Sequence, residues 1–153
     1  MNIHLATDHA GFEMKEFLKE ALLELGHNIT DHGAHEYNDS DDYPDYIKLA
    51  ASEVSINPDE NIAIIFGGSG QGEAITANRF ANVRATTYYH FDPEIIKLSR
   101  EHNDANILSI GARFLSNEEM LESVLFWLEI EFEGGRHLNR IEKIEIDTYI
   151  PQD

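Results

Sequence analysis

Five short apolar segments alternate with amphipathic segments, and this alternation constrains the fold more than any other feature of the sequence. The apolar segments are predicted strands at residues 2–7, 27–30, 62–66, 83–87 and 106–110. After each strand comes a segment whose apolar residues recur at helical spacing. Strands that alternate with helices form a parallel sheet covered on both faces. The sequence therefore predicts an α/β fold, a three-layer α/β/α Rossmann-like sandwich with a five-stranded parallel sheet.

Several helix boundaries carry signals of their own. Gly26 follows an apolar stripe formed by Met14, Phe17, Leu18, Ala21, Leu22 and Leu25, and glycine is common just beyond a helix end. Pro44 suits the first turn of a helix whose inner face is predicted to be Ile47, Ala50, Ala51 and Val54. Ser116 and Glu119 have the spacing of a capping box, and the stripe after them is Leu121, Val124, Leu125 and Leu128.

The size of the chain suits one domain. It has 153 residues, of which 42% are hydrophobic, enough for a single substantial core. We therefore expect one domain over residues 1–153, without an internal linker. Residues 131–153 form a charged, partly alternating arm with too little apolar surface for its own core, so we expect this arm to dock on this subunit or on a partner.

Composition excludes several function classes. There is no cysteine, so disulfides, thiolate metal sites and cysteine nucleophiles are ruled out. The formal net charge of −18 would repel nucleic acid and anionic membranes. No apolar run approaches a membrane span, and the first residues lead into a strand without the pattern of a signal peptide. We expect a soluble, cytoplasmic protein with no nucleic-acid or membrane partner.

Polar clusters adjoin the ends of the predicted strands, where open parallel sheets bind their ligands. They are Asp8-His9 after the first strand, residues 67–73 after the third, His102-Asn103-Asp104 before the fifth, and Arg113 after the fifth. We expect all four clusters at the carboxyl-terminal edge of the sheet. Asp8 could equally be a helix cap, His9 a surface residue and His102 a helix end.

The glycine-rich turn is the most informative cluster. Gly67, Gly68, Gly70 and Gly72 fall within six positions, so backbone N–H groups could surround an anion or a developing oxyanion. The turn fits neither a P-loop nor the dinucleotide-binding spacing, and a tight turn without ligand is the alternative. Glu73 follows in the first helical turn, where the dipole favours its charge; we expect it to be ionised and available as a base. It could also be an ordinary first-turn acid.

Basic residues near the end of the chain could bind an anion. Arg136 and Arg140 are four residues apart and would share a face of a helix, which suits bidentate recognition of phosphate. Salt bridges to nearby acids such as Glu133 are the alternative. His32 and His35 with Glu36 lack a third strong ligand, so we predict no metal site.

Six motifs occur in one order from about residue 2 to residue 144. They are Asp8-His9-Ala10-Gly11-Phe12, Asp42-Tyr43-Pro44-Asp45-Tyr46, Gly68-Ser69-Gly70-Gln71-Gly72-Glu73, Ala77-Asn78-Arg79, Arg100-Glu101-His102-Asn103-Asp104-Ala105-Asn106 and Glu133-Gly134-Gly135-Arg136-His137. Together they closely resemble the ribose-5-phosphate isomerase B family, which includes the galactose-6-phosphate isomerase subunits. The resemblance implies reversible conversion of ribose 5-phosphate to ribulose 5-phosphate without metal or cofactor. It also implies a dimer or tetramer whose active sites are shared between subunits.

The resemblance also implies roles for individual residues. Asp8 and His102 would assist opening of the furanose ring, and Tyr43 would pack against the sugar. The enediolate would be stabilised by Ser69, Gly70, Gly72 and Asn103, and Gly68 would also bind the substrate. The phosphate would be held by His9, Arg113, Arg136 and Arg140.

One position departs from the commoner form of the family. Many members place a cysteine base where this chain has Gly67. The chain is similar to the branch that lacks this cysteine and uses the glutamate, here Glu73, as base. Residues 145–153 fall outside the resemblance. A hexose or tetrose phosphate is the alternative substrate, and a non-catalytic sugar-phosphate-binding subunit is a third possibility, against which the intact Asp8, Glu73 and His102 argue.

Overall fold

The computed structural model describes residues 1–145, and the sheet that it contains has all five predicted strands. The strands are β1 Asn2–Thr7, β2 Asn28–Asp31, β3 Asn61–Gly67, β4 Ala85–Tyr88 and β5 Ile107–Gly111. The helices are α1 Phe12–Glu24, α2 Tyr43–Ile56, α3 Gln71–Ala77, α4 Pro93–Glu101, α5 Asn117–Glu129 and α6 Leu138–Ile141. Short 3₁₀ turns cover His9–Gly11 and Gly135–His137.

The strands are parallel and lie in the order β2-β1-β3-β5-β4. The register places Thr7 opposite Phe66 and Gly67 opposite Gly111, so β1, β3 and β5 end at the same edge. From β1 the chain first moves outward to β2 and then crosses to β3 on the other side of β1. This reversal makes a topological switch point, where the loops after β1 and β3 diverge and leave a crevice.

Helices cover both faces of the sheet and create two cores. On one face α1, α4 and α5 contribute Leu18, Ile96 and Trp127, all nearly inaccessible to solvent. On the other face α2 and α3 contribute residues such as Ile47 and Ala77. All seven residues of β3 are buried, as expected for the central strand of a sheet covered on both sides. The predicted three-layer α/β/α sandwich is confirmed.

The helix boundaries follow their sequence signals, but two of the predicted apolar stripes need correction. The capping box of Ser116 and Glu119 is present, and Gly26 has a positive φ of 85° just beyond α1. The predicted core residue Leu25 lies past the last turn of α1 and is exposed. In α5 the deepest apolar residues are Met120, Val124 and Trp127, whereas Leu121, Leu125 and Leu128 flank them and are only partly buried.

The segment after α5 returns toward the end of α4. The Glu133 N–H donates to the Glu101 carbonyl at 3.1 Å, and the His137 ring packs against His102. The predicted arm therefore contacts its own subunit at Glu133 and His137, while residues 146–153 lie outside the described part of the chain. Among residues 1–145, no helix combines the length and hydropathy needed to cross a membrane.

Candidate active site

A cavity of about 520 Å³ opens at the carboxyl-terminal edge of the sheet, beside the switch point. The loops after β1, β3 and β5 and the start of α2 supply its walls, as expected for ligand binding in an open α/β sheet. The lining residues are Asp8, His9, Ala10, Tyr43, Gly68, Ser69, Gly72, Glu73, Arg113 and Phe114. The fold thus brings together three of the four polar clusters that the sequence predicts at this edge.

Glu73 lies at the floor of this cavity, and its side chain fills the space above Gly67. A Cβ atom built on Gly67 would lie 1.9 Å from Oε1 of Glu73 and 2.0 Å from its Cδ. No side chain can occupy position 67 while the carboxylate keeps this place. The Glu73 carboxylate occupies the volume that a side chain at position 67 would take. The glutamate at 73 therefore requires glycine at 67.

Burial governs the charge of Glu73. The residue is 4% exposed, and the loss of solvation raises the pKa of its carboxyl above the usual value for glutamate. A hydrogen bond from its own backbone N–H opposes this effect, and the nearby charge of Asp8 adds to it. Burial thus acts against the charge that a first-turn position favours, and the prediction that Glu73 is ionised stays a prediction. The result is a more basic carboxylate, which suits proton abstraction.

Asp8 caps a turn and also lines the cavity. Its Oδ1 accepts a hydrogen bond of 2.9 Å from the Ala10 N–H, so it caps the 3₁₀ turn that follows β1. It is also 6% exposed and lines the cavity. The cap therefore fixes a carboxylate at the wall of the cavity. Its second oxygen, Oδ2, lies 3.9 Å from Nδ1 of His9.

Tyr43 and the glycine-rich turn form a tight contact across the cavity. A Cβ atom on Gly72 would lie 2.6 Å from the Tyr43 hydroxyl, so only glycine allows the ring to approach the turn. Tyr43 is the first residue of α2, directly before Pro44, and its side chain lines the cavity. The Ser69 hydroxyl accepts a hydrogen bond of 3.3 Å from the Gln71 N–H at the start of α3.

Two basic side chains, Arg113 and His9, line the cavity. Arg113, after β5, lies close to Gly68, since a Cβ atom on that glycine would be 3.2 Å from its Nη1. Nδ1 of His9 lies 2.7 Å from Oδ1 of Asp41, and this hydrogen bond raises the pKa of the imidazole. His9 thus carries a positive charge over a wider pH range than an ordinary histidine, which favours an anionic ligand.

Asp41 is the site residue that sequence reasoning missed. It belongs to the polar loop between β2 and α2, which also contains Glu36, Asp39 and Asp42. Nothing in the sequence distinguishes one of these acids from the others, because the contact with His9 depends on how the loop folds back over the end of β1. In the structure the side chain of Asp41 is only 5% exposed.

His102, Asn103, Arg136 and Arg140 lie elsewhere. Helix α4 runs antiparallel to the strands, so His102 at its end and Asn103 adjoin the amino-terminal edge of the sheet, just before β5. The prediction that this cluster shares an edge with Glu73 was wrong for a single chain. A residue that precedes a parallel strand must lie at the edge opposite to a residue that follows one.

Arg136 and Arg140, two of the four predicted phosphate-binding residues, lie at that opposite edge near a pair of histidines. The His102 and His137 rings stack with centroids 4.2 Å apart, and His137 is buried between the exposed Arg136 and Arg140. Nε2 of His137 lies 3.6 Å from Oε2 of Glu133. Within residues 1–145 neither arginine forms an ion pair, so the salt-bridge alternative has no support there.

Two groups of side chains have the composition of a metal site. They are Asp8, His9 and Asp41 in the cavity, and His102, Glu133 and His137 at the opposite edge. In each group the possible ligand atoms lie within 4.8 Å of one another. His32 pairs instead with His4, at 2.9 Å between ring nitrogens, and not with His35 and Glu36. The prediction that the protein uses no metal stays a prediction.

A buried basic carboxylate, a glycine-rich turn and adjacent basic side chains at a switch point have the chemistry of one class of site, in which a proton is moved on a small anionic substrate. The sequence pattern described as Ribose/Galactose Isomerase matches residues 3–144, and the chain belongs to that family. A relative named ribose-5-phosphate isomerase B, from Mycolicibacterium paratuberculosis, is 36% identical over 143 residues, covering 93% of this chain and 88% of the relative.

Solved structures agree with this assignment. The crystal structure of ribose-5-phosphate isomerase B from Mycoplasma genitalium, with bound ribulose-5-phosphate, superposes with a TM-score of 0.89 at 36% identity, covering 94% of this chain and 93% of that chain. The ribose 5-phosphate isomerase from Thermotoga maritima gives a TM-score of 0.86 at 39% identity, with 94% and 96% covered. Both structural similarities extend over nearly the whole chain, so they include the loops that form the cavity.

Proposed function

We propose that this protein interconverts ribose 5-phosphate and ribulose 5-phosphate, with Glu73 as the base. The observation that carries the proposal is the buried Glu73 carboxylate, seated over Gly67 in a cavity that also holds His9 and Arg113. Membership of the Ribose/Galactose Isomerase family supports it, as does the likeness to a relative whose structure holds ribulose-5-phosphate. The cytoplasm, where such a metabolic enzyme finds its substrate, is the proposed location.

The first step opens the furanose ring. Breaking the bond between C1 and the ring oxygen requires a proton to leave the C1 hydroxyl and a proton to reach the ring oxygen. Asp8 is the acceptor available in the cavity, since only one of its oxygens is engaged by the Ala10 N–H. His102 of a second subunit would supply the proton to the ring oxygen. The product is the open-chain aldehyde.

The second step transfers a proton between adjacent carbons. Glu73 removes the proton from C2, and the electron pair moves through the C1–C2 bond onto the aldehyde oxygen to give an enediolate. Backbone N–H groups of the turn at Ser69–Gly72 stabilise that oxyanion. Glu73 then returns its proton to C1 while the C2 hydroxyl proton passes to O1, which leaves the ketone at C2. The raised pKa of Glu73 makes it both an adequate base and an adequate acid for this shuttle.

The proposed assembly is a homodimer, or a tetramer built from such dimers, with two shared sites. His102, Asn103, Arg136 and Arg140 lie at the edge opposite to Glu73 in one chain, so they could serve the cavity only of another copy. A two-fold axis brings opposite edges of two copies together. Exposed apolar residues beside the cavity suit such a contact: Phe114 lines the cavity and packs edge-on against Tyr89, with ring centroids 6.0 Å apart.

The test mixes two inactive variants. Glu73→Gln removes the proposed base, and His102→Asn removes the group that would come from the other subunit. After joint refolding in equal amounts, half of the dimers are mixed and each mixed dimer has one intact site, so about a quarter of wild-type turnover of ribose 5-phosphate should return. Turnover of galactose 6-phosphate is measured in parallel, to test the alternative that the substrate is a hexose phosphate. Activity that stays absent after mixing would contradict the shared site.

A further inference from the structure

We propose that Asp41 is a positioning residue, which holds His9 in the orientation and charge state that bind the substrate phosphate. The inference rests on the proposed function, because it assigns a role within that cavity. It concerns a residue that makes no direct contact with the cavity space, since Asp41 is not among the residues that line it. Asp41 therefore acts through the imidazole in front of it.

The geometry ties Asp41 firmly to His9. Oδ1 of Asp41 accepts two hydrogen bonds from the same residue, one of 2.7 Å involving Nδ1 of the ring and one of 2.9 Å from the backbone N–H. The side chain is 5% exposed, and its Oδ2 is buried; among the described residues no contact with it has full hydrogen-bond geometry, and the Tyr46 hydroxyl is the nearby polar group. A carboxylate so poorly hydrated is stabilised by an adjacent positive charge, and the His9 imidazolium is the cation in contact with it.

This arrangement decides which nitrogen is left for the substrate. Because Asp41 accepts at Nδ1, that nitrogen carries a proton and Nε2 is the free ring atom. In the neutral ring Nε2 would present a lone pair to the phosphate, which repels it. In the imidazolium Nε2 carries a proton and donates to the anion. Binding of the phosphate by His9 therefore requires the charged ring, and Asp41 supplies the counter-charge that maintains it.

Other charged groups around His9 act in both directions. Asp8, at the end of β1, favours the imidazolium, and Arg113, after β5, disfavours it. From the loop, the Tyr37 ring meets His9 edge-on with centroids 6.3 Å apart. From α2, Tyr46 faces Asp41, and its pKa is raised by burial and by that carboxylate. The hydrogen bond to Asp41 is the largest of the influences on His9, and it raises the pKa of the ring.

The test is Asp41→Asn, which keeps an oxygen able to accept from Nδ1 and removes the charge. The KM for ribose 5-phosphate should rise about fivefold near pH 7, with kcat changed less than about twofold, since one charge-assisted bond to the phosphate weakens. The KM values of wild type and Asp41→Asn should converge as the pH falls to about 6, where an ordinary histidine is also mostly protonated. Asp42→Asn is the matched control, because the Asp42 side chain makes no cap bond and is exposed.

Two results would overturn the proposal. One is a KM raised by the same factor at every pH, which would make Asp41 a packing residue. The other comes from NMR titration of the histidines, with the His9 signals identified by their loss in His9→Asn. If Asp41→Asn leaves the His9 pKa unchanged, the proposed charge coupling is absent. This titration, repeated with inorganic phosphate, needs no turnover, so it decides the role of Asp41 even if the protein fails to isomerise ribose 5-phosphate.

Discussion

Replacing Gly67 by alanine should inactivate the protein without unfolding it. The added Cβ would lie 1.9 Å from one carboxylate oxygen of Glu73 and 2.4 Å from the other. Ordinary contact begins at 3.4 Å, so the carboxylate must move by at least about 1.5 Å. Misplacing a catalytic group by about 1 Å costs roughly 100-fold in rate, so kcat should fall at least about 100-fold. KM should change little, because His9 and Arg113 keep their places.

The assay follows formation of ribulose 5-phosphate from ribose 5-phosphate, with circular dichroism and thermal unfolding as checks of folding. A second variant makes the test sharper. Gly67→Cys combined with Glu73→Ala removes the carboxylate and places a thiol in the vacated volume, so it should recover part of the activity that Gly67→Cys alone lacks. A Gly67→Ala protein that folds and keeps kcat within about threefold of wild type would refute the argument, since the carboxylate would then not need its present position.

Two further predictions concern Arg136 and Glu73. Arg136→Ala should raise KM about tenfold and leave the melting temperature unchanged, because the side chain is exposed and makes no ion pair within residues 1–145; an equal loss of stability would favour a structural role. The raised pKa of Glu73 means that its ionised form destabilises the folded state. Glu73→Gln should therefore raise the melting temperature by about 2 °C or more at neutral pH, an advantage that disappears below about pH 4.5, where glutamate is protonated in both states.

The fold was predictable because local signals and burial agree along most of the chain. The apolar run of β3 is buried on both faces, and the capping box at Ser116 starts α5 where the sequence places it. The errors arose where a side chain could face either the core or solvent. Leu25 continues the stripe of α1 but lies beyond its last turn. The spacing of apolar residues alone does not show at which residue a helix ends and stops packing against the sheet.

The site was predictable to a smaller extent. The clusters that follow strands, such as Asp8-His9 and Glu73, meet in one cavity because strand direction alone decides their edge. The same rule places His102 at the opposite edge, because it precedes β5 instead of following a strand. Two features depend on three-dimensional packing and leave no sequence signal: the shared volume of Gly67 and Glu73, and the contact of Asp41 with His9.

The most direct test of the central claim measures proton transfer itself. Wild-type protein and Glu73→Gln are incubated with ribose 5-phosphate in deuterated water, and the formation of ribulose 5-phosphate and the exchange of carbon-bound hydrogen are followed by NMR. The proposed mechanism predicts both isomerisation and exchange by wild type, with both reduced at least about 100-fold in Glu73→Gln while the protein stays folded. Near wild-type isomerisation by Glu73→Gln would contradict the assignment of the base, and inactive wild type would contradict the function.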